Sequence, residues 1–271
     1  MKPAAWLRNF EKADQKLAAT LLDRFVFYNS DATDMLLKAS WRSIADGLPK
    51  GPSAPGRSQL LAALKYANFV PVHGEAPNPT DSGYLFCRKA RQILGIPECR
   101  FSSPEEALEG AKQGVPVVFL DDFVGSGDQF IETWQRAIGD EGMAFMDVYH
   151  NTPFPCIYLN LVTTDYGLEA IKLAAPNVAL CSTHILTEKS TIQGLIRENI
   201  FEEEELNNFL TKYTSRLRPE EDYIAQNLSY RKWGYKNRGL MLGFEHSIPD
   251  ATLPIFWSPG DDGWEPLIER S

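Results

Sequence analysis

Val117-Val118-Phe119-Leu120-Asp121-Asp122-Phe123-Val124-Gly125-Ser126-Gly127-Asp128-Gln129 is the stretch on which the fold turns. Its first four residues form a short continuous apolar run, the pattern of a central parallel strand buried on both faces. Two carboxylates close the run. A loop of small residues follows, and helical spacing resumes over 126–139. In an open α/β sheet, ligands bind beyond the carboxyl ends of the strands. Both acids therefore stand where a ligand would stand. The loop amides and the dipole of the next helix favour an anion there. Glycines let the backbone approach a phosphate closely.

A ligand-free reading competes. Ser126-Gly127-Asp128-Gln129 is also S-x-x-Q, a capping box that starts a helix. Asp128 would then only complement the helix dipole. Capping does not account for two adjacent acids at the end of an apolar strand, since each carboxylate prefers water unless paired. Three readings stay open at this point: a sugar-phosphate site, the same fold without a ligand, and unrelated structure.

Strands and helices alternate on either side. The spacing predicts a strand over 68–73, a polar loop over 74–83 and helices over 84–95 and 104–113, the latter capped by Ser102 or Ser103. Further on it predicts strands over 155–162 and 177–181 with a helix over 166–174 between them. This is the pattern of βαβ units, so the fold class is α/β with a mostly parallel open sheet. Ahead of it, residues 5–46 read as helical, the second helix starting at Thr33 and stopped by Gly47 and Pro49. The Pro/Gly-rich loop 49–56 suggests a helical subdomain, 1–48, joined to a main domain, 57–271. Helices are expected over 188–198, 201–212 and 219–228, a late strand over 240–244 and an irregular tail from 249. The chain thus has an N-terminal helical extension and a C-terminal helical and irregular block.

Composition narrows the function. The 271 residues carry a formal net charge of −9, which argues against broad, non-specific nucleic-acid binding. The four cysteines form no CxxC, and His73, His150, His184 and His246 show no zinc spacing. The cysteine pattern suits a reducing cytoplasm. Neither a signal segment nor a membrane span is expected.

Residues 117–127 match every fixed position of the 5-phosphoribosyl-1-pyrophosphate (PRPP) motif, and here the chain resembles the type I phosphoribosyltransferases. The resemblance implies a sheet of that type. It implies Asp121 and Asp122 as the acids that contact the ribose hydroxyls, directly or through Mg²⁺. It implies Val124, Gly125, Ser126, Gly127, Asp128 and Gln129 as the loop that holds the 5-phosphate. Two residues depart from the pattern: many members have Gly or a basic residue in place of Asp128, and Thr in place of Gln129. A carboxylate ~4 Å from a phosphate costs a few kcal/mol at an effective dielectric near 20. The diphosphate loop of the family corresponds to the segment after 68–73, which implies contacts from His73, Gly74 and the helical Arg88.

The block 239–257, taken with the 117–129 loop and the helical front end, resembles the phosphoribosyltransferase-like proteins of bacterial conflict systems, including those encoded beside retron reverse transcriptases. That resemblance implies an anti-phage effector, a toxin held by a partner such as a reverse transcriptase with its msDNA or another defence protein. It implies a small sugar phosphate or nucleotide as ligand, and a hood formed by the N-terminal helices or the C-terminal block. A phosphoribosyltransferase-like enzyme, a nucleotide sensor without catalysis and a scaffold with a vestigial site are the alternatives.

Overall fold

The computed structural model describes residues 1–47, 62–73, 82–152, 154–219 and 226–270. In chain order the elements are α1 (Pro3–Leu7), α2 (Gln15–Asp23), β1 (Val26–Tyr28), α3 (Ser30–Gly47), β2 (Asn68–Pro71), α4 (Ser82–Leu94), α5 (Pro104–Lys112), β3 (Val117–Leu120), β4 (Phe123–Val124), α6 (Asp128–Gln135), α7 (Phe145–Asn151), β5 (Cys156–Thr164), α8 (Asp165–Ala174), β6 (Ala179–Leu186), α9 (Ile192–Arg197), α10 (Glu203–Thr214), α11 (Leu228–Trp233) and β7 (Leu242–Phe244). The expected loop 49–56 and most of the loop 74–83 lie outside the described residues.

Internal contacts divide the chain into two compact units, Met1–Asp31 with Thr187–Ser271, and Ala32–Leu186. This differs from the division into 1–48 and 57–271 that composition suggests. The reason is packing at long range. Trp6, Phe10, Ala18 and Leu21 share one core with Leu206, Phe209, Leu210 and Phe256. The Trp6 indole N–H donates to the Ile255 carbonyl at 2.8 Å. Nothing local in residues 1–31 announces those partners.

In that first unit, Val26-Phe27-Tyr28 pairs in parallel with Leu242-Gly243-Phe244. The helical reading of 5–46 is corrected there: β-branched and aromatic residues take a strand between α2 and α3. The second helix also begins at Ser30, before Thr33. The helix expected over 188–198 is a 3₁₀ turn, Glu188–Ser190, followed by α9 with Thr191 as its cap. Glu202 caps α10. The reading of 219–228 falls mostly outside the described residues, and α11 begins at Leu228.

The second unit holds the sheet. β3 pairs in parallel with β2 on one edge and β5 on the other. β6 takes the far edge of β5. β4 pairs with β5 at Val162 and Thr163, on the edge that β3 also uses. β3 and β4 are therefore one line of strand, interrupted at Asp121-Asp122. Every residue of β3 and β5 is buried, as the apolar runs require. Ser103 caps α5 in a capping box with Glu106.

The strand order sets the position of a site. Phe69 pairs with Val118 on one side and makes an isolated parallel bridge to Phe101 on the other. From β2 the chain runs outward to Phe101, then crosses back past β2 to form β3, β5 and β6. The order reverses between β2 and β3. Such a reversal is a topological switch point, and ligands bind in the crevice above the strand ends there. Among the described residues, no helix is long and apolar enough to cross a membrane.

Candidate functional site

β3 delivers Asp121 and Asp122 to the switch point, where they are only 3% and 5% exposed. Asp121 Oδ1 accepts from Ser82 Oγ at 3.0 Å and from the Asp122 N–H at 2.9 Å. Its Oδ2 accepts from the Tyr158 hydroxyl at 2.9 Å. Burial pushes the Asp121 carboxyl well above the usual carboxylate range, and the charge of Asp122 and its side-chain hydrogen bond act in the same direction. Burial, followed by the charge of Asp121, also pushes the Tyr158 phenol well up. Cys87 nearby is pushed up to about 12 by burial and then by Asp121, so it rests as a thiol. The Asp122 carbonyl receives the N–H groups of Leu161 and Val162, which fixes the turn against β5.

Close packing brings Ser82 within reach. A Cβ on Gly83 would lie 2.5 Å from the Val72 carbonyl oxygen. Glycine at that point lets α4 start against the end of β2, beside the acids.

After β4 the chain turns through Gly125, Ser126 and Gly127. Gly127 has φ +86 and caps α6 without a side chain. The S-x-x-Q capping box does not form. Ser126 Oγ instead donates to Asp128 Oδ2 at 2.6 Å. Among the described residues, the N–H groups of Gly125, Ser126, Gly127 and Gln129 have no protein acceptor. Consecutive open amides of this kind make an anion-binding nest. The loop is held from behind: Thr164 Oγ1 donates to the Gly125 carbonyl and accepts the Gly167 N–H at 2.9 Å.

Asp128 also lines a shallow groove of about 370 Å³ with Ile131, Glu132, Gln135 and Arg136. Its carboxylate holds the hydroxyl that a phosphate would need. Asp128→Asn is therefore expected to tighten binding of inorganic phosphate by about tenfold, a modest share of the Coulomb cost of two anions ~4 Å apart. Calorimetry reads this directly; a weaker or unchanged affinity would show that Asp128 does not compete with the anion.

The diphosphate candidates are less assembled. His73 follows β2, is buried, and its ring stacks on Tyr84 with centroids 5.3 Å apart. Arg88 is exposed on α4. Of its basic neighbours, Lys89 pairs with Asp34 at 2.6 Å and Arg91 with Glu98 at 3.0 Å. Gly74 lies outside the described residues. Among the described residues no group of three or more His, Cys, Asp or Glu side chains could hold a metal ion by itself. The two hard-oxygen acids still suit Mg²⁺, which one or two carboxylates hold together with substrate phosphates.

The sequence reading missed Ser82, Tyr158, Thr164 and Gly167. Tyr158 left one signal: a lone phenol in a dry strand requires a hydrogen-bond partner.

A parallel sheet with an acid pair and an amide nest at its switch point defines the type I phosphoribosyltransferase-like class. A family model described as PRTase-CE matches residues 3–270, and the chain belongs to that family. No curated protein matches it. Among solved structures it is similar to the AQ2163 protein from Aquifex aeolicus, at 12% identity over 69% of this chain and 82% of that one, with a TM-score of 0.34. It is also similar to orotate phosphoribosyltransferase from Aeropyrum pernix, at 17% identity over 60% of this chain and 78% of that one, with a TM-score of 0.28.

Proposed function

We propose that the chain binds PRPP or a related ribosyl phosphate or nucleotide, together with Mg²⁺, and acts on it as a phosphoribosyltransferase-like enzyme. One observation carries this reading: a buried acid pair and a run of open amides follow the same central strand at the switch point. In this reading the acid pair holds the ribose hydroxyls. The N–H groups of residues 125–127 and 129 hold the 5-phosphate. Arg88 and His73 are the candidates for contact with the diphosphate. Bound Mg²⁺ supplies positive charge against the leaving diphosphate. The protein's own contribution is positioning and fixed dipoles as positive charge develops at C1.

Calorimetry with PRPP and Mg²⁺, joined to a diphosphate-release assay, tests the proposal. Asp122→Asn is expected to weaken PRPP binding at least tenfold, because a charge-assisted hydrogen bond contributes about 1.5–3 kcal/mol. Wild-type protein that binds neither PRPP nor a nucleotide would refute the reading. The Ser126–Asp128 hydrogen bond favours a second one, a nucleotide sensor that binds without turnover. Binding without diphosphate release would select it.

The resemblance to conflict-system proteins extends the proposal to an anti-phage effector restrained by a partner. Expression of the chain alone should then slow bacterial growth. The double variant Asp121→Asn/Asp122→Asn should relieve the effect.

A further inference from the structure

Asp121 stands at the end of β3, yet its carboxyl is spent inside the protein. Its two oxygens take three donors, from Ser82 at the start of α4, from Tyr158 on β5 and from the next backbone amide. Tyr158 is only 1% exposed. Its ring stacks on Phe130 with centroids 4.1 Å apart and planes at 11°. Phe130 meets Phe119 of β3 edge-on, with centroids 5.4 Å apart. Phe130 belongs to the first turn of α6, directly after the amide nest. One side chain thus reaches the acid pair with its hydroxyl and the root of the nest with its ring.

A phenylalanine would fill the same space in this core. What tyrosine adds is the hydroxyl, and the hydroxyl goes to Asp121. We propose that Tyr158, assisted by Ser82, is a positioning residue of the site. It fixes Asp121 inside the protein as the brace of Asp122, so that Asp122 is the acid that meets the ligand. This rests on the ribosyl-phosphate reading given above, and it assigns the two acids different tasks.

Four proteins test it by calorimetry with PRPP over a range of Mg²⁺ concentrations: wild type, Tyr158→Phe, Ser82→Ala and Phe130→Leu. Tyr158→Phe keeps the ring stack and is expected to bind PRPP at least tenfold more weakly, with a higher Mg²⁺ requirement. Ser82→Ala should lose about threefold in the same direction, and it stands in if Tyr158→Phe does not fold. Phe130→Leu disturbs packing but leaves the brace, and should stay within about threefold of wild type at saturating Mg²⁺. If wild type binds and the brace variants bind as well as it does, the inference is overturned while the proposed function stands. If Phe130→Leu loses as much as Tyr158→Phe, the effect is general packing and the inference is again overturned. If wild type does not bind PRPP, the reading beneath the inference falls and the inference falls with it.

Discussion

Asp121→Asn is expected to make the metal-free protein more stable at pH 8, and to flatten the dependence of its stability on pH. The Asp121 carboxyl is buried, and burial followed by the charge of Asp122 raises its pKa well above 3.8. In the unfolded chain the same group ionises near its ordinary value. Between the two pKa values the folded state holds a proton that the unfolded state has released. Stability from this group is therefore fully present below the unfolded pKa. It is lost as pH rises toward the folded pKa. Each pH unit in that window costs about 1.4 kcal/mol.

Asparagine has no proton to lose. Its amide oxygen can still accept from Ser82 and the Asp122 N–H, and its NH₂ can donate to the Tyr158 hydroxyl, which accepts as readily as it donates. Urea unfolding at pH 5 and pH 8, in a chelating buffer, should show the stability of wild type falling relative to that of the variant over that range. Parallel curves for the two proteins would show that Asp121 does not hold its proton. A stabilising substitution at this position is the behaviour of a site that holds strain for function.

The parts of this fold that were legible in the sequence rest on local patterns. Four apolar residues identified β3, two acids marked its end, and of the two caps expected for α5, Ser102 or Ser103, it is Ser103 that caps it. The match of residues 117–127 to a phosphoribosyltransferase motif agrees with the family to which the chain belongs. What was not legible depends on distant partners. β4 is two residues long and becomes a strand only because Val162 and Thr163 pair with it. The Asp121 network joins Ser82, 39 positions earlier, to Tyr158, 37 positions later. No spacing rule links residues so far apart. The capping-box reading of Ser126 failed for a local reason: Gly127 takes the cap position, and the Ser126 hydroxyl donates to the Asp128 carboxylate at 2.6 Å instead of accepting the Gln129 N–H that the box requires.

Gly167→Ala sets two rules against each other, and steric contact is expected to win. Gly167 lies in the first turn of α8, where alanine is intrinsically better than glycine by about 1 kcal/mol. A Cβ there would sit 2.5 Å from the Gly125 carbonyl oxygen and 2.9 Å from Val124 Cγ1. The first contact is with backbone, which has no rotamer to change. That carbonyl is held by the Thr164 hydroxyl, which also accepts the Gly167 N–H. The helix and the loop cannot separate without losing one of those bonds. Overpacking of this kind costs about 1–3 kcal/mol, and a lost cap about 1 kcal/mol more. The net result should be destabilisation by about 2 kcal/mol despite the better helix former, read as a lower urea midpoint. The larger effect should fall on the ligand. Gly125 opens the amide nest, so moving its carbonyl turns the nest away from the phosphate. PRPP affinity should fall about a hundredfold, equivalent to about 2.7 kcal/mol. Equal or greater stability with unchanged affinity would mean that α8 shifts freely, and that its contact with the loop does not shape the nest.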